Sequence, residues 1–288
     1  MTLTLGTTTI STLGWLIDAR DPVACRTLRL AAIRELVERH QLSAVELTMD
    51  LGIIYPHIFD AGFYAQVADL QQELGFMCTA HLPILWLDPA SVNEPVRQAS
   101  AACWLRTAGL LRPVEVTTYV LHLWGTATGE ILALLNSPIQ RSAVLQAVLA
   151  QAERSLGQLC DVLDPADICV ENLESLSFEA WLPLVERCGT SICLDVGHLA
   201  WHADSELDFL ERHRGRIREV HLHDAARGGG SGNRAIQDHL PLGAGMIDYA
   251  AFLHRVQAID FQGAVILELN SRAALEQSLE RLSTLQLG

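Results

Sequence analysis

The stretch ICLDVGHLAW, residues 192–201, starts as a buried strand and does not finish as one. Ile192, Cys193 and Leu194 are core residues by type, yet Asp195 follows at once and His198 three residues later. An unpaired carboxylate in an apolar interior is costly. Either these groups stand at a solvated mouth or something positive holds them. The same pattern recurs along the chain. FMCTAHLPI (76–84) reaches His81, TTYVLHLWG (117–125) reaches His122, and DICVENLES (167–175) reaches Glu171. IREVHLHD (217–224) carries His221 and His223, and GAVILELN (263–270) carries Glu268. With LTLGTTTI (3–10) and SAVELTMD (43–50) these runs make eight strand candidates.

Helical patterns separate them. Asp21-Pro22 offers an N-cap followed by proline at the first helical position, ahead of ACRTLRLAAIRELVERH (24–40). Further helices are expected near 63–74, 96–111, 142–159, 178–186, 207–213, 249–256 and 273–285. Near-continuous apolar strands alternating with helices indicate a parallel sheet covered on its faces. Eight units without a dinucleotide fingerprint favour a closed (β/α)8 TIM barrel, and no linker-like shift in composition divides residues 1–288, so a single domain is expected.

Composition excludes several chemistries. All 20 basic residues are arginine, so a Schiff-base lysine and a phosphate-binding P-loop lysine are both ruled out. The net charge of −14 and the lack of a basic run make nucleic acid an unexpected partner. Seven cysteines without a C-x-x-C pair read as small core residues in a reducing, cytoplasmic setting. The N-terminus has no signal-peptide pattern, and no membrane span is expected.

In a barrel of this kind the site lies at the C-terminal ends of the strands. Six successive strands ending in His, Asp or Glu therefore aim at one region, and such groups on rigid strands make a divalent-metal site. A hydrogen-bond network without metal is the plainer alternative. His40, His202, His213 and His254 fall in helices or loops and read as surface residues. His223 is two residues from His221 and shares its face by strand periodicity, which suggests a substrate contact.

VEN (170–172), LDVGH (194–198), VHLHD (220–224), DHLPLGAGMIDY (238–249) and LELN (267–270) together make the chain resemble the xylose isomerase-like TIM barrels. That superfamily includes endonuclease IV and many sugar isomerases and epimerases. The resemblance covers essentially the whole chain. It implies one metal held by Glu171, Asp195, His221 and Glu268, with Glu171 and Glu268 also moving protons. The endonuclease IV pattern would add His81 and His122 at a second ion bridged by Glu171, and His198 and His239 at a third. That third ion lacks its last ligand, because Gln237 stands where the pattern has Asp. Zn2+ or Mn2+, one to two ions, is the implied cofactor.

Within the superfamily, His81 and His122 tip the expectation towards a phosphodiester hydrolase, since paired ions clamp the attacking and leaving oxygens. The implied substrate is a small, bulky, phosphate-containing metabolite. TAHLPI, YVLHLWG and LELNSRAALEQSLERL resemble the cobamide-remodelling phosphodiesterases, which implies a corrinoid nucleotide loop. Trp15 and Trp124 are expected at an aromatic mouth, and Arg227 and Arg234, flanking GGGSGN (228–233), as phosphate clamps on a lid. The alternative is a sugar or sugar-phosphate isomerase or epimerase on the four-ligand site alone. A binder that merely kept the fold stands third.

Overall fold

The computed structural model describes residues 3–14, 20–134, 138–202, 204–228 and 236–285. The described residues form ten strands: β1 (Thr4–Thr8), β2 (Ala44–Thr48), β3 (Met77–His81), β4 (Val116–Leu121), β5 (Ile168–Glu171), β6 (Ser191–Asp195), β7 (Ile217–Leu222), β8 (Asp224–Arg227), β9 (Ile236–Leu240) and β10 (Ala264–Leu267). Eight close a parallel barrel in the order β1-β10-β7-β6-β5-β4-β3-β2. The (β/α)8 expectation therefore holds. The remaining two, β8 and β9, form an antiparallel hairpin in what read as one long loop after the seventh barrel strand.

Local chemistry sets the helix boundaries. Asp21 accepts a hydrogen bond from the Ala24 backbone, and Pro22 opens the helix Pro22–Glu38. Asp60 caps Ala61–Leu74 through the Phe63 amide, and Gly75 ends it in the left-handed conformation at φ 70°. Helices Glu94–Leu110 and Pro138–Cys160 follow β3 and β4, and Arg272–Ser283 closes the chain. The expected helix at 178–186 is a 3-10 turn at Phe178–Ala180 and a short helix at Leu182–Cys188.

Between barrel wall and helices lies one continuous apolar core, which includes Trp104, Trp181, Phe209 and Phe252, each almost fully buried. Burying side chains of this size contributes about 1.5–3 kcal/mol each. The barrel interior is different. Glu46 on β2 touches His221 on β7, Thr118 on β4 touches Glu219 on β7, and His81 on β3 touches Glu171 on β5. None of these strand pairs are neighbours in the barrel, so the contacts cross its interior. Barrels of this type usually fill that space with branched apolar residues. A polar interior at this level marks where function has displaced packing.

No helix among the described residues is long and apolar enough to cross a membrane. No disulfide links the described cysteines. His213 departs from its surface reading: it is buried, packed on Phe178 and Phe209 with ring centroids 5.7 and 4.5 Å away.

Candidate metal centre

Glu171, Asp195, His221 and Glu268 come together as expected, with one ligand atom of each within 4.8 Å of the others. They stand on or at the end of β5, β6, β7 and β10, four consecutive strands of the barrel. The arc has a glutamate at each end. Glu171 Oε2 lies 3.6 Å from His221 Nδ1, and Glu268 Oε2 lies 3.2 Å from the same nitrogen.

Asp195 is fully buried but not unpaired. Its Oδ1 accepts from the His198 amide at 2.7 Å, capping the short helix Val196–Leu199. Its Oδ2 lies 2.9 Å from His223 Nε2. Asn172 brackets its backbone, donating to the Asp195 carbonyl and accepting from the Asp195 amide, each at 2.8 Å.

The histidine tautomers can be read from neighbours that only donate or only accept. His81 Nδ1 lies 2.9 Å from the Leu82 carbonyl and so carries a hydrogen, leaving Nε2 to face Glu171 Oε2 at 3.2 Å. His198 Nδ1 likewise donates to the Asn172 carbonyl at 3.0 Å. His122 Nε2 is 3.2 Å from the same Glu171 oxygen, so His81, His122 and Glu171 form a second ligand-like group. Each imidazole nitrogen facing a carboxylate needs either a hydrogen of its own to donate or a cation bound by both groups.

Without a metal, protons take that part. Burial alone would lower the His81 imidazole, but the Glu171 carboxylate outweighs it and holds it up to about 10. His198 is pushed up to about 9 against its burial by Asp195 and Glu171, and His239 to about 11 by Glu268 and Asp238. Glu171 is buried and Glu268 half-buried, and desolvation works against the charge of both, yet the surrounding histidines hold both well below the usual carboxylate range.

Metal fits this set on a specific observation. His221 Nδ1 and Glu268 Oε2 are shielded from solvent and make no hydrogen bond in the protein. Orphaned buried polar atoms of this kind are rare, and a divalent ion satisfies both at once. Oxygen and imidazole donors suit Mn2+, Mg2+, Co2+ or Zn2+.

Other expected site residues sit elsewhere. His223 is fully buried with both ring nitrogens occupied: Nδ1 accepts from the His239 amide at 2.9 Å, so Nε2 carries the hydrogen given to Asp195. It is a support for Asp195, not a substrate contact. It lies one residue past the end of β7, where strand periodicity no longer applies. Trp124 is also core, 2 % exposed, with its Nε1–H donated to Ser175 and its ring 5.1 Å from Trp181. Arg227 is exposed at the end of β8. Trp15 and Arg234 lie outside the described residues.

His198 and His239 do face one another across 5.8 Å, with His239 stacked on His223 at 4.2 Å. His239 reaches the site from the hairpin, with φ 52°, and its Nε2 is 3.5 Å from Glu268 Oε2. Asp238, beside Gln237, accepts from Trp201 at 3.0 Å and pairs with His239 Nδ1 at 3.1 Å.

Three buried residues went unnoticed in the sequence. Glu46 and Glu219 both lie near His221 inside the barrel, their nearest oxygens 3.1 and 4.0 Å from its Nε2. Burial, reinforced by Glu46, pushes Glu219 up to about 8, and Thr118 donates to it. Cys193 lies beside Glu171 and His221, but burial raises its thiol well above the ordinary range, so it stays protonated. The one available cue for Glu46 was a single acidic residue inside an otherwise apolar strand.

Known proteins share this architecture. An uncharacterised protein of Methanocaldococcus jannaschii, MJ1311, is 22 % identical over 92 % of this chain and 91 % of its own length. The crystal structure of a D-tagatose 3-epimerase-like protein superposes with a TM-score of 0.70 at 19 % identity, covering 98 % of this chain and 96 % of that one. The apo 3-keto-D-glucoside 4-epimerase YcjR of E. coli superposes at 0.71 with 18 % identity, covering 99 % and 100 %. Residues 33–285 match the family described as xylose isomerase-like TIM barrel, and the chain belongs to that family.

Proposed function

We propose that the chain is a divalent-metal-dependent isomerase or epimerase of a small sugar or sugar phosphate. The observation that carries this reading is the arc of Glu171, Asp195, His221 and Glu268 with a glutamate at each end. Inverting a carbon beside a carbonyl needs one group to remove its proton and a second to return one from the opposite face. Glu171 and Glu268 stand on strands separated by two others, so they approach a molecule over the arc from different sides. The sugar epimerases among the structural neighbours support the carbohydrate class.

When bound, the ion would be held by the four arc residues and would polarise the substrate's carbonyl and adjacent hydroxyl oxygens. The ionised glutamate takes the proton from carbon. The other must start protonated, so that it can return a proton to the opposite face. At the end of the turnover the two glutamates have exchanged roles, and the reverse reaction runs from there. In this reading His81, His122 and His198 would orient hydroxyl groups.

Solvent exchange tests this directly. The Mn2+-loaded protein, incubated with a panel of ketoses in D2O, should place deuterium on the carbon beside the carbonyl. Glu171→Gln and Glu268→Gln should each slow that exchange by roughly 10²–10⁴-fold. Absence of exchange in every ketose would defeat the reading.

A second reading rests on His81, His122 and Glu171 as a further ligand group. Two ions bridged by Glu171 would suit phosphodiester hydrolysis, including that of a corrinoid nucleotide loop. Two tightly held ions per chain together with cleavage of a phosphodiester would establish it in place of the first.

A further inference from the structure

We infer that Glu46 is the residue that positions the metal ligand His221, fixing which of its ring nitrogens is offered to the ion. The inference rests on the metal centre proposed above. Glu46 is fully buried on β2, and His221 is fully buried on β7, with β1 and β10 between them. Their contact crosses the barrel interior: His221 Nε2 lies 3.1 Å from Glu46 Oε2. A carboxylate is an acceptor, so His221 Nε2 is the donor and keeps its hydrogen. Nδ1 is the nitrogen turned towards Glu268 and Glu171, at 3.2 and 3.6 Å, and it makes no hydrogen bond in the protein.

This is the geometry of a carboxylate–histidine–metal relay. The carboxylate holds the ring plane, selects the tautomer with Nδ1 bare, and increases its basicity. Glu219, the other carboxylate near Nε2, does not compete for that role. Glu219 Oε1 lies 4.0 Å away, beyond hydrogen-bond reach, and its Oε2 is engaged by Thr118. Register keeps Glu46 in place, since β2 pairs with β1 through Thr8 and with β3 through Thr79 at exactly this residue. A purely structural carboxylate would support the fold and leave metal affinity untouched. A positioning carboxylate acts on the ion.

The test uses the full chain and Co2+, whose absorption reports both binding and ligand geometry. Glu46→Leu removes the acceptor, and Glu46→Gln keeps an amide oxygen that accepts from Nε2. Co2+ affinity at about pH 8 should fall roughly 10–100-fold in the leucine variant and less in the glutamine variant, with a changed Co2+ spectrum. In Zn2+-loaded wild-type protein, 15N NMR should show His221 protonated at Nε2 and metal-bound at Nδ1. That measurement decides the matter even if a variant does not fold. Affinities within twofold of wild type in both folded variants, or zinc on Nε2, would overturn the assignment. The wild-type Co2+ titration separates the two levels: no uptake by wild type removes the metal centre and the role of Glu46 together, whereas normal uptake with unchanged variants removes only the latter.

Discussion

A methyl group added at Gly197 would have no room. It would sit 2.0 Å from His223 Cε1, 2.4 Å from Nδ1 and 2.9 Å from Nε2, so its three nearest neighbours are all atoms of one ring. The ring cannot slide away, because its other face is stacked on His239 at 4.2 Å. Gly197→Ala therefore expels His223 from Asp195. Overpacking costs about 1–3 kcal/mol, and losing a hydrogen bond to a charged group costs about 1.5–3 kcal/mol. The sum, about 2.5–6 kcal/mol, lowers the midpoint of thermal unfolding by roughly 4–10 °C in a domain of this size. The decisive measurement is a double-mutant cycle by urea unfolding. In a His223→Ala background the clash is gone, and Gly197→Ala on the helix Val196–Leu199 becomes neutral or mildly stabilising. A coupling of at least about 2 kcal/mol is expected. If the two substitutions add to within about 0.5 kcal/mol, the ring is not what excludes a side chain at this position, and the argument fails.

The first and last long helices are joined by a bidentate pair, Arg272 to Glu35 at 2.7 and 2.8 Å. Arg272, with Arg39, holds Glu35 down at about 2. Stability from this lowered carboxyl is complete above pH 4.5 and is lost as pH falls through 2, so Glu35→Gln should cost about 1 kcal/mol at neutral pH and nothing near pH 2 in urea unfolding. For the raised imidazole of His81 the sign is opposite: its stabilisation of the metal-free protein is full below 6.5 and disappears as pH rises through about 10, which chelator-treated protein should show as a falling unfolding midpoint. His221 is also held protonated without metal, against its burial, by Glu46, Glu268 and Glu171; ion uptake must expel that proton, and calorimetry in buffers of different ionisation enthalpy should detect at least one proton released. His81→Ala with His122→Ala should leave one ion per chain by elemental analysis if these residues serve the substrate; a drop from two ions to one would favour the hydrolase.

The barrel was legible because its strands are almost wholly apolar and alternate with helical patterns, the first of them opened by an explicit cap at Asp21. The metal-ligand arc was legible for a geometric reason: parallel strands bring their C-terminal ends to one face, so linear positions translate into a cluster. Glu46 escaped because it stands in mid-strand, where a single acidic residue reads as solvent-facing; only barrel closure shows that the position points inward at β7. His223 misled for the complementary reason, since two-residue periodicity was extended one position beyond β7. Trp124 was drawn to the mouth by its place after β4, whereas a partner for its Nε1–H at Ser175 lets it stay in the core. The hairpin after β7 was hidden by its glycine-rich sequence.

That hairpin has an anchor. Asp224, buried at its base, accepts from the amides of Ala225, Gly243, Gly245 and Ile247 at 2.8–3.0 Å. One side chain thereby ties the outgoing strand to the segment that returns to the barrel, independently of how long the excursion between them is. His239 rides on the far arm, while the metal-ligand arc belongs to the barrel wall. The molecule is thus modular: insertions or deletions at the hairpin's tip leave the register of β7 and β10 alone, and lineages can retool what stands over the glutamates without rebuilding the pair that would move the protons.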